Sequence, residues 1–242
     1  MIKTHIVDNN KVFEYENTNI FIIEDFFNDT ASDSLVKLID KLPLTRCNIQ
    51  KGNNVDCFQY NLTHYNFINT NHTYDEYYVF HLNKKNDKPV SNSINLTNKL
   101  NGVNKNYIYE TADNIRSKFG CIHRIISKVM PFPDDLYDSG ISLRKICGKT
   151  RLHIDGCSGN IGKDSCVIEI NKKQERRILS IIISLNDNYD GGIFSFPNQN
   201  VSFKLKKNSV LFFPPYWTHP HKVSEVENST SRYTINTWLC EK

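Results

Sequence analysis

A histidine and an aspartate two positions apart, His153 and Asp155, are the residues of this sequence best suited to hold a metal ion. The segment 150–155 that contains them has the composition of a β-strand. Because residues i and i+2 of a strand point to the same side, both side chains could meet one ion while Leu152 and Ile154 enter the core. A third ligand from a distant strand would complete a two-histidine, one-carboxylate triad, which suits non-haem Fe(II) and leaves coordination positions open.

Two later histidines, His219 and His221, are candidates for the third ligand. They follow an apolar, strand-like run in the segment 209–223. In a regular strand the two would share one face, so spacing alone does not choose between them.

An arginine, Arg232, begins another strand-like segment, 232–239, and follows His221 by eleven positions (232 − 221 = 11). Alternation places Thr234, Asn236 and Trp238 on its face. Burying a guanidinium group is costly unless it meets a carboxylate, and its planar fork matches that group. Arg232 therefore indicates a carboxylate-binding position.

The surrounding elements predict an α+β fold. Asn28 or Asp29 can begin a helix that Pro43 closes, and a second helix is expected over 107–130. Short strand-like segments then follow one another between turn signals, which is typical of an antiparallel jelly-roll (a double-stranded β-helix of the cupin kind) covered by the N-terminal helices. These segments are 141–147, 150–155, 178–185, 192–196, 201–205, 209–213 and 232–239.

The predicted organisation is a single domain over 1–242. Residues 1–139 would provide an N-terminal strand, the supporting helices and an irregular insert over 46–103. Residues 140–242 would form the catalytic jelly-roll core.

Composition indicates which partners and which cellular location are expected for the protein. In 242 residues, 39% are hydrophobic and 23% charged, with a net charge of +4, which does not favour nucleic acid as a partner. The seven cysteines are odd in number and form no CxxC pair. The first residues contain no apolar core of the kind a signal peptide has, and no apolar run approaches the length needed to span a bilayer. An intracellular protein with reduced thiols is therefore expected. The bias toward Asn, Lys and Ile suggests an AT-rich genome, such as that of a large DNA virus. If the gene is viral, the expected location is the host cytoplasm or the virion.

The HxD pair, the distant Pro-His and the later basic residue resemble the 2-oxoglutarate/Fe(II)-dependent dioxygenases, and within them the prolyl 4-hydroxylase-like branch. Segments 191–197 (GGIFSFP) and 19–33 are also similar to that branch. The resemblance implies that His153, Asp155 and His221 bind Fe(II), since the family's histidine follows proline and precedes a basic residue and valine. It implies that Arg232 binds 2-oxoglutarate.

By the same resemblance, the expected activity is O2-dependent hydroxylation of a protein or peptide substrate, with proline as the expected target. Succinate and CO2 would be released, and ascorbate would support turnover. The alternatives are oxidation of another side chain or of nucleic acid, and a non-catalytic jelly-roll binding module.

The sequence departs from the family at two points. Segments 142–147 and 178–185 lack the tyrosine that usually contacts the co-substrate, which leaves Ser184 and Asn236 as candidates for a second contact. Segment 156–177 is longer than usual and is expected to form a flap over the substrate.

Overall fold

The computed structural model describes residues 1–42, 45–46, 57–62, 105–130, 136–138, 141–156, 167–170 and 173–241. Most of the predicted insert over 46–103 lies outside these residues. So does much of the predicted flap, residues 157–166 and 171–172.

Two predicted helices are present among the described residues: α1 (Asp29–Lys41) and α2 (Lys105–Val129). The side chain of Asn28 accepts a hydrogen bond from the Ala31 N–H at 2.8 Å, which caps the first turn of α1. The apolar residues Leu35, Leu38 and Ile39 recur at helical spacing and are buried.

The strands follow the predicted order from residue 141 onward and include further short ones. They are β1 (Ile2–Val7), β2 (Asn10–Tyr15), β3 (Ile20–Ile23), β4 (Thr45–Arg46), β5 (Cys57–Leu62), β6 (Leu136–Asp138), β7 (Ile141–Ile146), β8 (Thr150–His153), β9 (Val167–Ile170), β10 (Lys173–Ser184), β11 (Asp190–Gly191), β12 (Phe194–Phe196), β13 (Val201–Phe203), β14 (Val210–Phe213), β15 (His221–Val223), β16 (Val226–Glu227) and β17 (Arg232–Glu241). A short 3-10 helix, Pro197–Gln199, follows β12.

A large antiparallel sheet, the major sheet, has the strand order β1-β2-β3-β14-β10-β17-β7-β5-β4. Its first two strands form a hairpin that the sequence reasoning did not predict; Asp8 and Asn9 turn it with positive φ angles of 49° and 64°. A smaller sheet, the minor sheet, has the order β13-β12-β15-β8. The two sheets face each other as in the predicted double-stranded β-helix.

The two faces of the major sheet bury different sets of residues. Its outer face joins the helices in one apolar core, which includes Leu143, Ile181 and Ile235 together with Ile39 and Ile122. Its inner face packs against the minor sheet through a second apolar cluster. That cluster consists of Ile20, Ile182, Phe194, Phe196, Leu205, Leu211, Phe213 and Val223.

Cross-strand register places polar residues on the inner face as well. Strand β17 pairs with β7 and β10 so that Thr234 lies opposite Arg144 and Ser184. Asn236 lies opposite Ser142 in the same way. Side chains of directly opposed residues share a face, so a polar surface extends along β17 between the apolar parts of the core.

Strand β8 is shorter than predicted. It ends at His153, and Leu152, which was expected in the core, is 55% exposed. That prediction was wrong because β8 is an edge strand of the minor sheet, and the side of it that carries Leu152 faces solvent.

Among the helices of the described ranges, none combines the length and the apolar character that crossing a membrane requires.

Candidate metal centre

Three side chains, from β8, from the segment just after it and from β15, converge between the sheets. His153 ends β8, and it lies directly opposite His221, the first residue of β15, with ring centroids 4.3 Å apart. Asp155 Oδ1 lies 3.3 Å from His153 Nε2, and its Oδ2 lies 3.8 Å from His221 Nε2. One potential ligand atom from each residue falls within 4.8 Å of the other two. We call these residues the His–Asp–His cluster.

Main-chain carbonyls orient both imidazoles. Nδ1 of His153 lies 2.7 Å from the Arg151 carbonyl oxygen, and Nδ1 of His221 lies 3.2 Å from that of His219. A carbonyl only accepts, so each Nδ1 carries a proton, and each Nε2 is the ring nitrogen that faces Asp155. This is the tautomer in which two histidines can bind one metal ion through Nε2.

The carboxylate of Asp155 is held from the major sheet. Ser180 on β10 donates a hydrogen bond of 2.7 Å to Oδ2, and Arg177 Nη1 donates one of 2.7 Å to the main-chain oxygen. Burial alone would raise the pKa of Asp155, but His221 and His153 outweigh it and hold that pKa below its usual range. Asp155 is therefore an ionised ligand donor.

A glycine follows the aspartate because the chain passes close to a neighbouring turn. The Gly156 N–H donates to the Pro215 carbonyl oxygen at 2.6 Å, and a Cβ at Gly156 would lie 2.9 Å from that oxygen. Since a larger residue would push this segment away, Gly156 contributes to the position of Asp155 after β8 has ended.

Aromatic rings enclose His221. Its ring lies 4.7 Å from the ring centroid of Phe213 and 5.5 Å from that of Phe196. Burial lowers the pKa of His221 to about 4, so the imidazole is neutral at physiological pH, as metal binding requires. Burial also acts on His153, but the hydrogen bond and charge of Asp155 raise the pKa of that residue instead.

His219, the competing candidate, lies outside the cluster. One ring nitrogen is 2.6 Å from the Thr18 carbonyl oxygen and the other is 2.8 Å from Thr218 Oγ1. The alternation argument did not apply, because β15 begins only at His221 and His219 belongs to the preceding turn. His219 instead connects this turn to the N-terminal segment.

Arg232 begins β17 on the inner face and is only 3% exposed. Its Cζ lies 4.9 Å from the ring centroid of Phe194 in the minor sheet. Of the candidates for a second co-substrate contact, Ser184 donates a hydrogen bond to the Asn186 carbonyl oxygen, and Asn236 accepts one from Thr234. Both residues lie on the inner face, but the side chain of each already makes a hydrogen bond to a residue two positions away.

A tyrosine that the sequence reasoning missed lies in the same region. Tyr189 is 2% exposed, and its buried hydroxyl makes no well-formed hydrogen bond to the described residues. Burial raises its pKa, while Arg232 and Ser184 lie close enough to oppose that rise. A tyrosine was expected on a strand, whereas Tyr189 follows β10 in a loop.

The paired glycines after Tyr189 explain how its ring is accommodated. Gly191 and Gly192 have positive φ angles of 69° and 62°, and a Cβ at Gly192 would lie 2.5 Å from Tyr189 Cε2. Lys204 donates to the Tyr189 carbonyl oxygen, and its Nζ lies 4.4 Å from the ring centroid. The glycine pair is thus the sequence signal that could have pointed to Tyr189.

Residues 143–240 match the family model of the 2OG-Fe(II) oxygenase superfamily. A search of curated proteins gave no match.

Solved structures share the fold at low sequence identity. A viral collagen prolyl hydroxylase from Paramecium bursaria Chlorella virus-1, in complex with 2OG, is 15% identical, with a TM-score of 0.55 over 94% of this chain and 98% of that one. A prolyl hydroxylase from Trichoplax adhaerens, in complex with a hypoxia inducible factor peptide, is 13% identical, with a TM-score of 0.52 over 92% and 84%. A Pseudomonas putida prolyl-4-hydroxylase is 11% identical, with a TM-score of 0.50 over 93% and 94%. The resemblance predicted from the sequence is thereby confirmed, since residues 143–240 match the 2OG-Fe(II) oxygenase superfamily and the chain has the double-stranded β-helix fold of prolyl 4-hydroxylase-like structures.

Proposed function

We propose that this protein is an Fe(II)- and 2-oxoglutarate-dependent dioxygenase that hydroxylates a peptidyl proline. The observation that carries the proposal is the His–Asp–His cluster. Two imidazoles and one ionised carboxylate are the ligand set that non-haem Fe(II) oxygenases use. Ser180 holds the carboxylate of Asp155 and Arg177 holds its main-chain oxygen, so this donor is already oriented before an ion binds.

His153, Asp155 and His221 would hold the Fe(II). When bound, Fe(II) would supply the oxygen chemistry that couples oxidation of 2-oxoglutarate, to succinate and CO2, to hydroxylation of the substrate. The protein's part is to bind and orient the reactants and to exclude water. Phe196 and Phe213 serve the last purpose on the His221 side.

The co-substrate would bind on the inner face of the major sheet. Arg232, buried at the start of β17, would bind the distal carboxylate of 2-oxoglutarate through its guanidinium fork. The Tyr189 hydroxyl would donate the second hydrogen bond to that carboxylate, in place of the strand tyrosine that this chain lacks. A carboxylate would give this buried hydroxyl the acceptor that it needs.

A peptidyl proline is proposed as the substrate because the fold neighbours include a collagen prolyl hydroxylase and a prolyl hydroxylase in complex with a peptide. O2 would be the second co-substrate, and ascorbate would maintain the metal as Fe(II).

The deciding experiment is succinate production by the purified protein with Fe(II), O2, ascorbate and 2-oxoglutarate, with and without proline-rich peptides. Asp155→Ala removes the ionised ligand and should abolish turnover and metal binding. Glu16→Ala removes an exposed carboxylate far along the chain and should leave both unchanged.

The outcomes separate the parts of the proposal. Peptide-stimulated turnover that Asp155→Ala abolishes supports the full assignment. Turnover without peptide stimulation supports the dioxygenase and contradicts a prolyl substrate among the peptides tested. Absence of turnover in protein that binds Fe(II) contradicts the enzyme and favours a binding module.

A further inference from the structure

Two arginines and a tryptophan lie together on the inner face, beside the His–Asp–His cluster. The guanidinium carbon of Arg177 is 3.8 Å from a ring centroid of Trp238, and that of Arg144 is 5.6 Å from it. We call Arg144, Arg177 and Trp238 the Arg–Trp–Arg cluster. Arg177 also donates to the main-chain oxygen of Asp155, so the two clusters are in direct contact.

A β-bulge places Arg177 in this cluster. Strand β10 pairs with β17 through Arg177 opposite Cys240 and Leu179 opposite Leu239, which leaves Ile178 as an extra residue. Strict alternation from Ser180 would turn Arg177 to the outer face. The bulge returns it to the inner face, as bulges beside active sites often re-aim a side chain.

Each residue of the cluster has one donor that the described residues leave without an acceptor. Nε of Arg144, Nε of Arg177 and Nε1 of Trp238 are all buried without a hydrogen-bond acceptor in the part of the chain that the structure describes. Buried donors nearly always have an acceptor. The two guanidinium groups also place like charges near each other, and the carboxylate of Asp155 is already turned toward Ser180 and the histidines. An anionic acceptor from outside the chain would accept hydrogen bonds from these donors and would also offset the two positive charges.

The cluster is separate from the position proposed for 2-oxoglutarate. Trp238 follows Arg232 on β17 by six positions (238 − 232 = 6). At about 3.3 Å per residue, their main-chain positions are roughly 20 Å apart. Arg144 begins closer to Arg232, opposite Thr234, but its guanidinium group lies near Trp238.

We propose that the Arg–Trp–Arg cluster binds a side-chain carboxylate of the peptide substrate and so selects an aspartate or glutamate close to the oxidised residue. The inference rests on the proposed function, because it names the substrate class of the same site. The two guanidinium groups can each donate hydrogen bonds to a carboxylate, and the indole N–H of Trp238 is a third donor group. Contact between Arg177 and Asp155 means that a carboxylate bound here lies next to the metal-binding residues.

The test compares two pools of proline-centred peptides that differ only in having Asp and Glu, or Asn and Gln, at the flanking positions. Binding is measured by fluorescence anisotropy to the full-length protein under anaerobic conditions, with Fe(II) and 2-oxoglutarate present. We expect the acidic pool to bind about tenfold more tightly, the effect of one charged hydrogen-bonded contact.

Arg144→Met should remove the preference for the acidic pool while leaving the affinities for Fe(II) and 2-oxoglutarate unchanged. Arg177→Met should remove the same preference, and because Arg177 also holds the main-chain oxygen of Asp155, its Fe(II) affinity is measured alongside. Arg177→Lys keeps the charge, and Trp238→Phe keeps the ring, so these two provide folded comparisons if a methionine variant is unstable. The matched control is Arg124→Met, which removes an exposed arginine on α2 and should keep the preference.

Equal binding of the two pools, or binding of neither, overturns the inference. So does a loss of 2-oxoglutarate affinity in Arg144→Met, which would assign the cluster to the co-substrate. If a phosphoserine peptide or an oligonucleotide binds more strongly than the acidic pool, the ligand of the cluster is a phosphate group and the carboxylate assignment is wrong. Failure of the wild-type protein to bind Fe(II) and 2-oxoglutarate would instead remove the proposed function itself.

Discussion

Single hydrogen bonds determine which atoms of the His–Asp–His cluster are available to a metal ion. The Nδ1 atoms of His153 and His221 are both committed to main-chain carbonyls, so Nε2 is the free ligand atom on each ring. Ser180 donates its hydrogen bond to Oδ2 of Asp155, so it does not occupy the other carboxylate oxygen, Oδ1. These contacts come from β8, β10 and the turn before β15, and spacing between residues in the sequence carries no information about them.

Tyr189 provides a test of the proposed co-substrate position. Tyr189→Phe should weaken 2-oxoglutarate binding about tenfold, because it removes one hydrogen bond to a charged carboxylate and keeps the ring packed against Gly192. Isothermal titration calorimetry under anaerobic conditions measures this affinity directly, and metal binding should stay unchanged.

The control for that experiment is Tyr233→Phe. Tyr233 belongs to the core on the outer face of the same sheet, where its hydroxyl donates to Asp40 at 2.7 Å, so its loss should not affect 2-oxoglutarate. If the Tyr189 hydroxyl had only a structural role, Tyr189→Phe would leave the affinity as it is and would stabilise the fold, since a buried hydroxyl without a good partner is unfavourable.

Asn208, in the turn before β14, attaches helix α1 to the jelly-roll. Its side chain accepts a hydrogen bond from Ser32 at 2.5 Å and donates one to Asp29 at 2.8 Å. Its main chain has a φ of 66°. Asn208→Ala should therefore lower the free energy of unfolding by about 2–4 kcal/mol, combining the loss of the buried hydrogen bond with Ser32 and the cost of a left-handed alanine. Urea denaturation followed by circular dichroism measures the change.

Two variants separate these contributions. Asn208→Gly restores the backbone freedom but not the hydrogen bonds, so it should recover only about 1 kcal/mol. Asn200→Ala tests the backbone cost alone, because Asn200 is exposed and has a φ of 51°. Equal destabilisation by Asn208→Ala and Asn200→Ala would show that the hydrogen bonds to α1 contribute nothing.

Elements with strong periodicity were predictable, and those that depend on partners were not. The spacing of Leu35, Leu38 and Ile39, with Asn28 before them, predicted α1 because cap and apolar stripe are local signals. The bulge at Ile178 depends on the register between β10 and β17, which appears only when the strands pair. The end of β8 at His153 depends in the same way on its place in the minor sheet.

At the scale of the whole molecule, the major sheet divides structural and chemical tasks between its faces. The outer face is apolar and packs under the helices, which gives the sheet a rigid backing. The inner face carries Arg144, Ser180, Ser184 and Arg232 from three adjacent strands, opposite the two histidines of the minor sheet. Alternation along each strand makes this division possible, and it predicts correctly that Arg232 lies on the same face as Asn236.

Because the metal-binding residues lie on or next to the minor sheet and Arg232 lies on the major sheet, binding of Fe(II) and 2-oxoglutarate together should stabilise the whole fold. Each ligand at one hundred times its Kd contributes about 2.7 kcal/mol, which corresponds to a rise in Tm of roughly 5–10 °C for a chain of this size. Anaerobic differential scanning calorimetry measures the shift. Asp155→Ala should lose the response to the metal, whereas Glu16→Ala should retain it. An unchanged Tm at saturating ligand, or equal shifts in both variants, would contradict a site assembled from His153, Asp155 and His221, because a ligand that binds only the native state must raise its stability.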